Sequence, residues 1–112
     1  MAGSFIPSRG DLVWLEFSPQ AGHEQAGRRP ALVLSPRSYN APAGLALFCP
    51  ISSRVKGYPF EVPLPAGGPV QGVVLADQIK SLDWRVRKAR RIARAHQTVV
   101  AEVLAKAQTL LE

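Results

Sequence analysis

Cysteine is all but missing from these 112 residues. Cys49 stands alone, which excludes an intramolecular disulfide and any thiolate cluster held by one chain. It lies in the apolar run Leu45 to Ile51, where a thiol serves as a small buried hydrophobe rather than a nucleophile. Histidine is as scarce: His23 and His96 are far apart and fit no metal-ligand spacing such as HExxH, so neither a metal nor another cofactor is expected. Long apolar runs are absent, so no bilayer-spanning helix and no membrane partner are expected. The first ten residues lack the basic start and apolar stretch of a secretory signal, which leaves the cytoplasm as the expected compartment.

Acidic residues are also in deficit, with eight Asp and Glu against fourteen Lys and Arg for a net charge of +6. Half of the basic residues fall between Lys80 and Arg94, where Asp83 is the only acid. Such a window projects a positive field that attracts polyanions, nucleic acid first among them. Basic residues on an edge strand also deter aggregation, so charge alone leaves both readings open. The length leaves room for one domain, 1–112, with a modest core. Hydrophobic residues at 46% and charged residues at 20% describe a globular chain rather than a disordered one.

The pattern along the chain is mainly that of strands. Asp11 to Phe17, DLVWLEF, is rich in aromatic and branched residues and stops at Ser18-Pro19, which predicts a strand. Gln20 to Arg29 has two glycines and no apolar periodicity, which predicts a surface loop. Strands follow at Pro30 to Leu34, Leu45 to Ile51 and Phe60 to Leu64. Ser35 to Gly44, with prolines at 36 and 42, and Ser52 to Pro59 read as turn-rich connections. Gly72 to Leu82 suggests two strand pieces around a short helical turn at Ala76-Asp77-Gln78, and Trp84 to Ala95 a last strand. From about Gln97, apolar residues at 100, 103, 104, 107, 110 and 111 recur every three or four positions, the mark of a helix packed on the strands. Together they predict a strongly bent antiparallel sheet, nearly closed into a barrel, with one terminal helix.

Five stretches, GDLVWLEF (10–17), GHEQAGRRPALVLSP (22–36), the pair Tyr39-Asn40, KGYPFEV (56–62) and LADQIKSLDWR (75–85), resemble the MazF/PemK family of toxin endoribonucleases, its MazF branch above all. The resemblance runs nearly end to end. It implies a mainly β, SH3-like barrel of the CcdB/Kid/PemK type with a C-terminal helix. It also implies a homodimer, a cognate antitoxin with a MazE-like acidic C-terminal tail, and metal-independent, sequence-specific cleavage of single-stranded RNA. In that chemistry the ribose 2′-hydroxyl attacks the neighbouring phosphodiester, leaving a 2′,3′-cyclic phosphate and a 5′-hydroxyl. The same fold also hosts a toxin class that binds DNA gyrase and performs no chemistry, so fold alone does not establish a nuclease.

The resemblance singles out Arg29, the arginine of a Gly-x-Arg-Pro signature. A guanidinium stays charged and grips two oxygens at once, so a fixed arginine stabilises a crowded phosphoryl group without magnesium. The family pairs it with a threonine at the end of the third strand. Here that position is Ser52, which keeps the hydroxyl but loses the methyl that restricts its rotamer; a strand-end hydroxyl bonded to backbone is the other reading. Glu24 completes the catalytic candidates, either as a proton acceptor or in recognition and loop ordering. His23, Gln25, Arg28, Arg54, Lys56, Asp77 and Gln78 are candidates for RNA contact, with side chains that meet phosphates or unpaired base edges. Asp77 has a second reading, as the residue that orders its own turn. Of the aromatic residues only Tyr58 is expected in a loop; the others are expected mostly in the core.

Overall fold

The structure, a computed structural model, describes residues 5–17 and 27–112. Seven strands and two helices follow in the order β1 (Asp11–Glu16), β2 (Arg28–Val33), α1 (Arg37–Ala43), β3 (Leu45–Ser52), β4 (Glu61–Pro63), β5 (Val73–Leu75), β6 (Lys80–Asp83), β7 (Arg90–Arg94) and α2 (Gln97–Thr109). The strands pair antiparallel in the order β4-β5-β3-β2-β1-β7, and β6 also pairs with β3. The eight-residue β3 is long enough to pair with β6 through Leu45–Phe48 and with β5 through Ile51 and Ser52. The bent sheet stays unclosed, with β4 and β7 at its ends.

Two cores explain why β1 and β2 read as continuous apolar runs rather than as alternating strands. Leu12, Leu32, Cys49 and Ile51 pack with Val99 and Val103 of α2 on one face. Val13, Leu15, Ala31, Val33 and Phe48 pack with Trp84, Phe5 and Ile6 on the other. A strand covered on both faces needs apolar residues at every position. Cys49 is buried as expected, and burial, helped by the charge of Asp77, pushes its thiol up to about 12. The thiolate is therefore scarce at neutral pH. Among the described residues no helix is long and apolar enough to cross a membrane.

Three expectations need correction. The Ser35 to Gly44 segment contains a helix, Arg37–Ala43, despite Pro42 inside it. Proline forfeits one backbone bond there, while the buried Asn40 side chain donates to the carbonyls of Pro7 and Ser35, accepts from the Ser35 hydroxyl, and so fixes the segment. Gly44, at φ 71°, ends the helix by donating to the Asn40 carbonyl. The Trp84 to Ala95 segment is not one strand: the Asp83 carboxylate accepts from the amides of Arg85 and Val86, and the chain turns through Lys88 at φ 55° before β7 starts. The α2 stripe is centred on Val99, Val103 and Ala107, with Val100 and Leu104 half-buried against the same core, whereas Leu110 and Leu111 are exposed beyond the helix end.

Candidate functional site

Arg28 and Arg29 lie inside β2 rather than in the loop before it, because β1 pairs with them through Glu16 and Leu15. Neighbouring strand residues face opposite ways, so the two arginines separate. Arg28 sits over the ring of Trp14, its guanidinium carbon 5.5 Å from the centroid, a cation–π contact. Arg29, on the other face, is exposed. β2 pairs with β3 in the register Ala31 to Pro50 and Leu32 to Cys49. The ladder ends at the Ala31–Pro50 pair, two residues short of Arg29 and Ser52, and strand alternation from Ala31 and Pro50 puts both side chains on one face of the sheet.

On the far side of Ser52 an open cavity of about 260 Å³ is lined by Ser52, Arg54, Lys56, Tyr58, Glu61, Leu75, Asp77 and Gln78. Five of the candidates, Ser52, Arg54, Lys56, Asp77 and Gln78, are thus gathered at one place. Arg28 is not among them, since its face of the sheet is the other one. His23, Glu24 and Gln25 lie outside the described residues.

The walls of this cavity are built by backbone capture. Ser52 Oγ accepts the amide of Arg54 at 3.0 Å, a turn that bends the chain out of β3. The Glu61 carboxylate, 8% exposed, accepts the amides of Lys56 and Gly57 at 3.1 and 3.0 Å and holds the connection against β4. Lys106 of α2 donates to the carbonyl of Pro59 and pairs with Glu102, which ties the same connection to the helix. Gly72 is indispensable where β5 enters: a Cβ there would stand 2.1 Å from the carbonyl oxygen of Ser52. Glu61, Lys106 and Gly72 were invisible to periodicity, because each acts through a backbone group, four or five residues away for Glu61 and distant in sequence for the other two.

Asp77 accepts from the hydroxyl of Tyr58 at 2.8 Å and so joins two walls of the cavity, while its own turn is closed by the backbone bond from the amide of Gln78 to the carbonyl of Leu75. That hydrogen bond, then the carboxylate's charge, raises the phenol of Tyr58 above its usual value. The other carboxylate oxygen, Oδ1, is buried without a partner in the protein. An unpaired acceptor on a cavity wall favours a ligand that brings an N–H or O–H donor. Arg54 and Lys56 on the other walls give the cavity a positive lining, which suits an anion that carries N–H or O–H donors.

Residues 8–111 match the family described as PemK-like, MazF-like toxin of type II toxin-antitoxin system. The endoribonuclease toxin MazF of Escherichia coli K12 is 50% identical over 91 residues, 81% of each chain. The endoribonuclease toxin ChpB of the same strain is 43% identical over 111 residues, 93% of each chain. The crystal structure of MazF (form I) from Deinococcus radiodurans superposes with a TM-score of 0.87 at 60% identity, covering 96% of this chain and 98% of that one. A MazE–MazF crystal structure (form III) from the same organism gives 0.88 at 58% identity, covering 96% and 97%.

Proposed function

The chain belongs to the PemK-like, MazF-like toxins of type II toxin-antitoxin systems, and from that premise we propose that it is an endoribonuclease that cuts single-stranded RNA at short sequence motifs without a metal ion. The reading includes a cytoplasmic homodimer, neutralised by a cognate antitoxin whose acidic tail lies along the basic groove. The observation that carries it is the shared sheet face of Arg29 and Ser52 beside a cavity with basic walls and one orphaned acceptor.

The proposed reaction is a transesterification. The 2′-hydroxyl oxygen bonds to the adjacent phosphorus and the bond from phosphorus to the 5′-oxygen breaks, giving a 2′,3′-cyclic phosphate and a 5′-hydroxyl. The 2′-hydroxyl proton passes to a base and the departing 5′-oxygen takes a proton from an acid. Glu24 and His23 are the nearest groups in sequence for these transfers. Arg29 faces the non-bridging oxygens, where negative charge accumulates, and the Ser52 hydroxyl donates to one of them. Lys56 and Arg54 hold flanking phosphates, while Asp77 and Gln78 read base edges.

The test is incubation of the protein with a long single-stranded RNA in EDTA, beside Arg29→Ala, followed by mapping of the new ends. Discrete cuts bearing 5′-hydroxyls are expected, slowed by about 10²–10³-fold in the variant, the usual loss when a donor to the transition-state oxygens is removed. Intact RNA after treatment with the folded wild-type protein would overturn the reading in favour of a binding toxin of the gyrase-directed kind.

A further inference from the structure

A second basic site lies at the other end of the sheet face that carries Arg29. Arg37 from the start of α1 and Arg91 and Arg94 from β7 line one open depression of about 370 Å³, with Phe5, Ile6, Ser8 and Asp11 as its remaining walls. Asp11, whose side chain is 4% exposed, organises it. Its Oδ1 accepts from Arg94 Nη1 at 3.0 Å and pairs with Arg91 Nε at 3.5 Å, while Oδ2 accepts the amide of Ser8 at 2.9 Å. Gly10 makes room for the arrangement: at φ 95° it brings its backbone under Arg94, where a Cβ would meet Nη2 at 3.2 Å. One carboxylate offsets one of three guanidinium charges. Each guanidinium has five N–H donors, and the side chains of Arg91 and Arg94 remain about half exposed, so most of those donors face solvent.

We propose that Arg37, Arg91 and Arg94, held in place by Asp11, form a phosphate-binding site for the RNA strand, separate from the cleavage site and reading no bases. A phosphodiester fits better than a carboxylate: guanidinium forks reaching it from two elements match oxygens that point in different directions, whereas the planar carboxylate position is already taken by Asp11. The strand source fits better than a free ion because the depression and Arg29 lie on the same side of the sheet, at opposite ends of the layer of Phe5, Ile6 and Trp84 that covers Val13 and Leu15. Asp11 and Leu15 lie on one face of β1, Leu15 is the partner of Arg29 and Asp11 that of Arg94. The separation along β1 is about 13 Å at about 3.3 Å per residue, a span of a few nucleotides. This inference rests on the RNA reading above and adds to it a contact that fixes the strand's direction across the sheet.

The experiment measures binding of a 2′-deoxy single strand of about a dozen nucleotides, which lacks the attacking hydroxyl, to wild type and to Arg37→Gln/Arg91→Gln over a salt series. Both positions leave the Asp11–Arg94 pair intact, and Arg37→Glu alone serves as a second variant. The expected result is a Kd raised about tenfold at every base sequence tried, and a salt dependence of log K shallower by about one. Unchanged Kd and slope in a variant whose wild-type parent cuts RNA would overturn this inference alone; a wild type that neither cuts nor binds would overturn the RNA reading as well. Inorganic phosphate and polyglutamate form the other arms. Loss of affinity for either one in the variant, with strand affinity intact, would assign the depression to a free anion or an acidic protein and overturn the proposal.

Discussion

The two connections that flank β3 have similar compositions and opposite fates. Ser35 to Gly44 and Ser52 to Pro59 are both rich in serine, proline, glycine or asparagine, the residues of turns. Before β3, polar groups turn inward and satisfy one another: Asn40 is fully buried, the Ser35 hydroxyl accepts the amide of Leu47 while donating to Asn40, and Trp84 Nε1 donates to the carbonyl of Asn40. After β3, Glu61 captures two amides and the side chains of Arg54, Lys56 and Tyr58 stay exposed. A polar segment that closes its own hydrogen bonds becomes scaffold, and one that leaves donors and acceptors open becomes a site.

The sharpest way to break this contrast is Asn40→Ala. It strips partners from the Ser35 hydroxyl and from the carbonyls of Pro7 and Ser35, and an orphaned buried group costs about 1–3 kcal/mol. Thermal or urea denaturation should show a loss of about 3 kcal/mol, while cleavage per folded molecule stays unchanged. A smaller effect of the opposite kind is expected from Glu61→Ala. Freed amides at Lys56 and Gly57 are close to solvent, so stability should fall by about 1–2 kcal/mol, but the loosened cavity wall should raise KM for RNA severalfold. Equal kinetic damage from both variants would erase the distinction between scaffold and site.

The smallest effect concerns pH. The folded-state value of Tyr58 is raised by its bond to Asp77, so the folded protein holds that proton more tightly than the unfolded chain. The bridge's contribution is therefore full below the ordinary tyrosine value of 10.0 and is lost as pH climbs through the higher folded value. Ultraviolet titration in a Tyr39→Phe background, which leaves Tyr58 as the only tyrosine, should find a midpoint above 10.0 that falls back in Asp77→Asn. A midpoint indifferent to that substitution would show that the two walls are not joined in solution.

Much of the scaffold was legible in advance. Runs of branched and aromatic residues marked β1, β3 and β4 to within a residue or two, and the three-to-four spacing after Gln97 marked α2, because periodicity reports directly on which faces are buried. The resemblance to a toxin family supplied Arg29 and Ser52, and strand alternation beyond the Ala31–Pro50 pair puts the two on one face of the sheet. The Lys80 to Arg94 window was expected to project one positive field, yet the fold divides its residues. Arg87 bonds to backbone carbonyls at the end of β1, Arg94 pairs with Asp11, and Arg85 stacks over Trp84.

By itself, then, the sequence determined most of the strands, the terminal helix and the surplus of positive charge, since these depend on local pattern and on counting. Only the tertiary structure decided that Arg28 and Arg29 part company, that a proline-bearing segment closes into α1, and that Glu61 and Gly72 shape the cavity beside Ser52. Apart from the short-range capture of two amides by Glu61, those outcomes turn on contacts between residues distant in the chain, or on which side of a strand a residue falls once its neighbours are in register. Such contacts are decided by the packing of the whole sheet and leave no trace in any one stretch of sequence.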